Sequence, residues 1–213
     1  MLYTSSFWRM FMLSRVFAAT LLVPALLLPA ATRSANPHRA PGPWVIDRSH
    51  SSVGFTIRHF VSKVHGNFRD FKGTIAAEPE AWQNGQIEVE IQAASINTNN
   101  DTRDKDLRSA NFFSVDTFPV VSFRSTRIER SGDDAKIHGD LTIRGVTKAV
   151  VLDGHFNGIQ AGARADRVGI DATTTINRLD YGVKWNRAAE GGGVMLGDEV
   201  KIEINVEAVR QKP

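Results

Sequence analysis

From Trp44 onward, apolar and polar residues alternate along the chain in a series of short segments. The alternation is complete in Ile87–Gln92 and continues over nine positions in Val200–Ala208. A period of two residues is typical of a β-strand with one face buried and the other in water. Weaker forms of the pattern predict strands at Val53–Arg58, Val120–Ile128, Ala135–Ile143, Ala149–Phe156 and Val168–Ile176. With a short strand at Trp44–Asp47 and an irregular one at Val64–Ala76, the chain has about eight or nine strands.

The connections between these strands are short, which indicates that sequence neighbours pair antiparallel. Turn residues occur at Ser131–Asp133, Arg144–Val146 and Asn157–Gly158. Within Val64–Ala76, Phe68 and Phe71 are out of phase with each other, which predicts a β-bulge near Asp70. Only Asp101–Ser109 has helical features, with Asp101 as the expected N-cap.

A set of about eight amphipathic strands can form either a sandwich or a closed barrel. The last strand is long and regular, and as an unpaired edge it would promote aggregation. Closure removes such edges. We therefore predict an all-β fold, an antiparallel β-barrel of about eight strands with one or two short helices, as a single domain over residues 44–210. Its apolar interior would be filled by side chains or would hold one small ligand.

The first 35 residues have the composition of a signal peptide and its processing region. Two arginines precede Val16–Ala31, an uncharged apolar run that is shorter than the ~20 residues of a spanning helix. A secretory signal peptide is therefore predicted, with an uncleaved membrane anchor as the alternative, and no stable membrane span is expected after cleavage. Residues 36–43 form a linker rich in proline and small polar residues.

Composition excludes several classes of function. The chain has no cysteine, which excludes a disulfide scaffold, a Cys-ligated metal site and a Cys nucleophile. Three of the 26 basic residues precede residue 36, so the remaining chain has as many basic residues as its 23 acidic ones. A neutral body without a basic stripe argues against nucleic acid as a partner. Common nucleophile, metal-protease and nucleotide-binding motifs are missing, so we predict no enzyme, no metal and no cofactor. Gly191–Gly193 is interpreted as a flexible turn, a candidate lid.

Several segments together resemble the YceI-like family of lipocalin-like bacterial proteins that bind polyisoprenoid lipids. The resemblance covers about residues 44–209. It is carried by Asp47-x-x-His50-Ser51, Gly66-x-Phe68-x-x-Phe71-x-Gly73, Ser95-Ile96-x-Thr98, Arg103-Asp104-x-x-Leu107-Arg108-Ser109, Gly139-x-Leu141-Thr142-Ile143-x-Gly145-Val146-Thr147-Lys148 and Asn177-Arg178-x-Asp180-Tyr181-Gly182. Asp106 stands where many members have histidine, and Tyr181 replaces a frequent phenylalanine. The resemblance implies a barrel with an apolar tunnel, export to the periplasm and binding of a long isoprenoid chain.

A set of apolar side chains is predicted to face inward and to contact such a ligand. They are Phe55, Ile57, Phe68, Ile75, Val89, Ile91, Phe112, Phe113, Phe123, Leu141, Ile143, Ile170, Ile202 and Ile204. Ile87, Val121 and Val151 are also expected to face inward. The alternative is that these residues merely fill a core, and the choice depends on the interior volume.

Polar candidates for the barrel mouth are His59, Arg103, Arg108, Arg178 and Asp180. An arginine there can meet a diphosphate or carbonyl head group. The alternative is an Arg–Asp pair that pins a loop across the barrel end. His50 and His59 are both candidates for internal positions, since each is close to an apolar strand.

These features favour an exported lipid-binding protein that holds a polyisoprenoid or other long isoprenoid or quinone-like chain for transport, storage or sequestration. The alternatives are an enzyme that acts on such a lipid at the mouth, with His50, Arg103, Asp104 or Asp180, and a stress-related periplasmic interaction module. The sequence leaves open whether two copies form a homodimer.

Overall fold

The computed structural model describes residues 43–78, 81–188 and 194–212, and its strands follow the predicted alternation. They are β1 (Trp44–Ile46), β2 (Ser52–His59), β3 (Ser62–Phe68), β4 (Phe71–Ala76), β5 (Gln86–Gln92), β6 (Ile96–Asn97), β7 (Val120–Ser131), β8 (Asp134–Ile143), β9 (Val146–Gln160), β10 (Ala165–Asn177) and β11 (Leu196–Gln211). One α-helix, α1, spans Asp101–Arg108. The predicted signal peptide, and the linker up to residue 42, lie outside the described residues.

Eight of these strands close into an antiparallel barrel, as predicted. The hydrogen-bonded order is β1-β4-β5-β7-β8-β9-β10-β11, and β11 pairs back onto β1. β2 continues beyond β1 along the same side of β11, and β3 pairs with β2. The long last strand is therefore paired on both sides, with β10 on one and with β1 and β2 on the other. Closure thus leaves the last strand without an exposed edge, which is the reason for which a barrel was predicted.

The predicted bulge near Asp70 is instead a break between two strands. β3 ends at Phe68 and pairs with β2 and β6, whereas β4 begins at Phe71 and pairs with β1 and β5. Two contacts hold the bend: Nη1 of Arg48 lies 2.6 Å from Oδ1 of Asp70, and N–H of Gln92 donates to the carbonyl of Asp70 at 2.9 Å. The out-of-phase phenylalanines thus belong to separate strands.

Two further local predictions are wrong in detail. Asn157–Gly158 is not a turn but lies inside β9, where Gly169 pairs with Gly158 and Ile170 with Phe156, so that Asn157 is the extra residue of a bulge. The N-cap of α1 is Asn100 rather than Asp101, since its side-chain oxygen accepts from N–H of Arg103 at 3.0 Å.

One end of the barrel is filled by aromatic side chains. Trp44 and Trp82 stack with ring centroids 6.3 Å apart, and Trp82 packs against Phe156 at 5.0 Å. The guanidinium of Arg210 lies over the Trp44 ring at 4.3 Å, and Nε1 of Trp44 donates to Ala77. We call this end of the barrel, which contains Trp44, Trp82 and Phe156, the packed end. None of the helices in the described ranges has the length and apolar character needed to cross a membrane.

Candidate functional site

A cavity of about 590 Å³ occupies the interior of the barrel. Every apolar residue that was predicted to line a binding site, from Phe55 to Ile204, borders it, and so do Ile87 and Val121. Their contact with a ligand stays a prediction. Val151 does not border the cavity and is 42% exposed, which corrects the expectation that it faces inward. In β9 the buried side chain is that of its neighbour, Leu152.

Several cavity-lining side chains are only partly buried. Phe55, Phe68 and Phe123 border the cavity and retain accessible surface, whereas close-packed interiors leave few voids larger than a water molecule. The interior is therefore an apolar hollow, which argues against the alternative of a filled core.

Aromatic rings from three segments meet along the wall. Phe68 lies between Phe55 and Phe113, with ring centroids 6.0 and 5.7 Å away. Phe113 follows α1 in the chain, and its neighbour Phe112 packs against Trp185 at 5.3 Å. These contacts attach the segments after α1 and after β10 to the barrel at the end away from the packed end.

The cavity reaches the surface beside α1. Asn100 and Thr102 border it and are exposed to solvent, and Arg103, Asp106 and His59 border it as well. We call these five residues the mouth. They include a positive and a negative side chain, so most of the polar groups of a mainly apolar wall lie at one end.

Thr98 holds the Arg103 guanidinium at the mouth. Nε of Arg103 donates to Oγ1 of Thr98 at 2.7 Å, and Nη2 donates to the Thr98 carbonyl at 2.9 Å. The Thr98 hydroxyl in turn donates to Asp104, whose side chain is 1% exposed. Within the described residues, Nη1 of Arg103 has no protein acceptor and no carboxylate lies within ion-pair distance. This nitrogen is free to donate to a ligand.

Arg178 borders the cavity, but its guanidinium is fully engaged by the protein. Nε donates to Gly197 and Nη1 to the carbonyls of Val183 and Trp185, while Nη2 forms an ion pair with Asp198 at 3.2 Å. Burial lowers the pKa of Arg178, and the charge of Asp198 opposes that shift. The geometry matches the predicted alternative of an Arg–Asp pair that pins a loop, with Asp198 instead of Asp180 as the acid.

Arg108 and Asp180 were predicted at the mouth, and the structure places neither among the residues that border the cavity. Arg108 donates to the carbonyls of Ala94 and Ile96 at 2.7 and 2.8 Å, so it fastens α1 to the preceding segment. Asp180 is exposed on the turn after β10. His50 is also exposed rather than internal, whereas His59 does border the cavity.

Sequence reasoning did not assign Trp185, Met195 or Tyr181 to the site, although all three border the cavity. The hydroxyl of Tyr181 is buried and has no hydrogen-bond partner among the described residues. Burial, together with the charge of Asp180, raises the pKa of Tyr181 to about 12. The alternation of Tyr181, Val183 and Trp185 after β10 is the one signal from which these positions could have been found.

One group of potential metal ligands lies outside the cavity. Asp47, His50 and Glu207 offer atoms within 4.8 Å of one another. These atoms already have protein partners, because Asp47 accepts from Ser49 and pairs with Nδ1 of His50 at 2.9 Å, and Glu207 accepts from Arg167 at 2.8 Å. The segment after β1 is joined to β11 by the backbone, since N–H of Asp47 donates to the Glu207 carbonyl at 2.8 Å.

Comparisons with known proteins agree with this geometry. A family model described as the YceI-like domain matches residues 44–208. A UPF0312 protein of Staphylococcus aureus is 38% identical over 167 residues, which cover 77% of this chain and 95% of that protein. A crystal structure of a Campylobacter jejuni YCEI protein is similar with a TM-score of 0.63 and 32% identity, over 78% of this chain and 96% of that one.

Two more distant structures show the same fold. BcnA of Burkholderia cenocepacia has a TM-score of 0.67 and 22% identity, over 76% of this chain and 99% of that one. A domain from Saccharophagus degradans, described as polyisoprenoid-binding and implicated in plant cell wall breakdown, has a TM-score of 0.59 and 16% identity. The similarity to it covers 80% of this chain and 98% of that domain.

Proposed function

This chain belongs to the YceI-like family, and from that membership we propose that it is an exported protein that holds a long isoprenoid or quinone-like chain inside its barrel. The observation that carries the proposal is the cavity of about 590 Å³ with an apolar wall. This volume lies within the range of about 300–1,000 Å³ that is typical of small-molecule sites. The Saccharophagus degradans domain, described as polyisoprenoid-binding, shares the fold.

The length of the cavity favours a linear ligand. Its wall extends from His59 and Met195 at the mouth end to Ile75 and Ile170, which pack against the aromatic cluster of the packed end. A tail that loses ~300 Å² of apolar surface inside would gain about 7 kcal/mol of transfer free energy before ordering costs. That gain supports micromolar binding without a strong polar anchor.

The mouth favours a head group without net charge. Arg103 and Asp106 carry opposite charges there, and the charge of Arg178 is balanced by Asp198. A quinone carbonyl or a hydroxyl can accept from Nη1 of Arg103, whereas a diphosphate would meet one free cation and one carboxylate. A neutral polar head is thus the better match.

Binding fits the positions of the polar residues better than catalysis does. Of the residues that the enzyme alternative needs, Asp104 is buried and held by Thr98, while His50 and Asp180 are exposed outside the cavity. Arg103 is the one member of that set at the mouth.

The ligand is identified by extracting protein purified from its native host and analysing the organic phase by mass spectrometry. We expect a long-chain isoprenoid at close to one equivalent. Ile202→Trp, which places a larger ring in the cavity, should lower this yield. Glu203→Trp, on the outward face of the same strand, is the matched control and should keep it. Lipid-free protein that takes up no isoprenoid on reconstitution would refute the proposal.

Export to the periplasm is part of the proposal and rests on residues 1–35. Intact-mass measurement of the protein from periplasmic and membrane fractions tests it. We expect a species cleaved between Ala30 and Ala35 in the periplasmic fraction. Full-length protein in the membrane fraction would favour the uncleaved anchor.

A further inference from the structure

The turn between β2 and β3 exposes two large apolar side chains. His59 and Ser62 form the last pair of these strands, so that Phe60 and Val61 make a two-residue turn. Val61 is fully exposed (104%) and Phe60 is 39% exposed. Two-residue turns usually contain glycine, asparagine or aspartate. Val194, which precedes Met195, is exposed as well. We call Phe60, Val61 and Val194 the apolar tip.

Specific hydrogen bonds hold the turn in an unfavourable conformation. The φ of Phe60 is +51°, in the left-handed region that favours glycine. Nη1 of Arg58 donates to the Phe60 carbonyl at 3.1 Å, and N–H of Phe60 donates to Met195 at 2.8 Å. Backbone strain that the surrounding structure enforces is often associated with function. Here the strain displays a phenylalanine in water.

Two basic residues stand directly behind the apolar tip. Arg58 and Lys63 are opposite each other in the register of β2 and β3, and both are exposed. Neither has a carboxylate within ion-pair distance among the described residues. Like charges directly opposite on neighbouring strands destabilise a sheet, so the juxtaposition of these two charges does not stabilise the isolated barrel. An anionic surface would relieve the repulsion.

The apolar tip is attached to the cavity opening. His59 adjoins Phe60, Met195 adjoins Val194, and both His59 and Met195 border the cavity. Apolar and aromatic side chains backed by basic ones are typical of segments that lie in the interface of a membrane. We infer that the apolar tip docks the barrel, mouth first, onto an anionic lipid bilayer. This inference goes beyond ligand binding, because it concerns the outer surface and does not require an occupied cavity.

Site-specific fluorescence tests the contact directly. The chain has no cysteine, so Val61→Cys accepts a single environment-sensitive label. Ile159→Cys, 40% exposed on β9 opposite Val168 near the packed end, is the matched control. With vesicles of phosphatidylglycerol and phosphatidylcholine that contain no isoprenoid, the label at 61 should brighten and shift to the blue, and the label at 159 should not. An equal response at both sites, or none at either, would overturn the inference.

A binding measurement separates the apolar and basic contributions. Co-sedimentation with the same vesicles should weaken at least about tenfold in the double variant Val61→Asp/Lys63→Glu, and also at high salt. Ile159→Asp should leave it unchanged. Val61 has no buried contacts to lose, so the substitution tests docking rather than folding. Unchanged binding of the double variant would disprove the inference. Because the vesicles lack isoprenoid, this result is independent of whether the cavity holds one.

Discussion

The ring of Phe55 lies in the space that Gly66 leaves by having no side chain. The two residues are directly opposite on β2 and β3, and a Cβ at position 66 would lie 2.3 Å from Cζ of Phe55. Gly66→Ala should therefore displace the ring into the cavity. We expect a loss of about 1–3 kcal/mol in the free energy of unfolding, as for other overpacked interiors, and weaker ligand binding. Denaturant unfolding and ligand titration measure the two effects.

Gly54→Ala is the matched control for this substitution. A Cβ there would meet only backbone oxygens, those of Glu203 and Gly66, at 3.5 and 3.7 Å, which are ordinary contact distances. The free energy of unfolding should change little. Equal effects of the two substitutions would mean that alanine in these strands acts through the backbone and not through the Phe55 ring.

A second prediction concerns the buried guanidinium of Arg178. Arg178→Met would leave the carbonyls of Gly197, Val183 and Trp185 without their donors, and an unsatisfied buried group costs about 1–3 kcal/mol. We expect the variant to lose at least about 3 kcal/mol in chemical unfolding.

The ion pair of Arg178 should matter less than its carbonyl contacts. In Asp198→Asn the carbonyl bonds remain, and the removed carboxylate is half-exposed. A loss of less than about 1 kcal/mol is expected. A larger loss in Asp198→Asn than in Arg178→Met would contradict the assignment of the carbonyls as the main partners.

The strands were predictable where the alternation of apolar residues has a single phase. Throughout β5, and over Glu199–Glu207 of β11, every second residue is charged or amide-bearing, which determines the inward face of the strand. In β9, Val150, Val151 and Leu152 are all apolar, so the sequence does not show which of them face inward. The prediction placed Val151 inside. Asn157–Gly158 failed as a turn for a related reason: the same residues favour a bulge when both flanking segments pair with one neighbour.

The polar part of the site was less predictable than its apolar wall. The partners of Arg178 come from residues 183, 185, 197 and 198, which only the folded chain brings together. No local spacing encodes such contacts. The volume of the interior could not be predicted from the sequence either, since the same inward side chains could have filled a core.

Two surface histidines should titrate above the ordinary histidine value. A hydrogen bond to Asp47 raises the pKa of His50, and one to Asp134 raises the pKa of His155. Asp47→Asn should lower only the pKa of His50, and Asp134→Asn only that of His155, as followed by NMR titration of the ring protons. Crossed effects would indicate a global change in structure.

The His50–Asp47 pair also predicts the sign of a pH effect on stability. Because the folded pKa of His50 is raised, its contribution is complete below the unfolded value of 6.5 and disappears as pH rises through the folded value. Hydrogen bonds from Ser49 and His50 lower the pKa of Asp47 to about 2, so its contribution disappears as pH falls from 3.8 toward 2. The advantage of the parent protein over His50→Gln in urea unfolding should therefore shrink as pH rises from 6.5 through the folded pKa of His50.

Asp106 should disfavour anionic head groups at the mouth. Asp106 borders the cavity, and among the described residues its carboxylate accepts from Ser109 and from Asn111 at 3.1 Å, both uncharged. Asp106→Asn keeps an acceptor oxygen for them and removes the charge. We expect affinity for a polyprenyl phosphate to rise about two- to fivefold, the range of an exposed charge pair, and affinity for the neutral polyprenol to stay constant. Asp101→Asn, on the same helix but not bordering the cavity, is the control. Equal gains for both lipids would refute a charge effect.

The hydroxyl of Tyr181 should destabilise the folded protein. It is buried without a hydrogen-bond partner among the described residues, whereas in the unfolded chain it is hydrated. Tyr181→Phe removes the desolvation cost and keeps the ring, so we expect a gain of about 1 kcal/mol in the free energy of unfolding. Because burial raises the pKa of Tyr181 to about 12, the unfolded chain ionises first, and the advantage of the variant should grow as pH rises above 10. Urea unfolding at pH 7 and pH 10.5 measures the gain in the free energy of unfolding and its increase with pH. A loss of stability in Tyr181→Phe would mean that the hydroxyl has a partner in solution, either a buried water or a residue outside the described ranges.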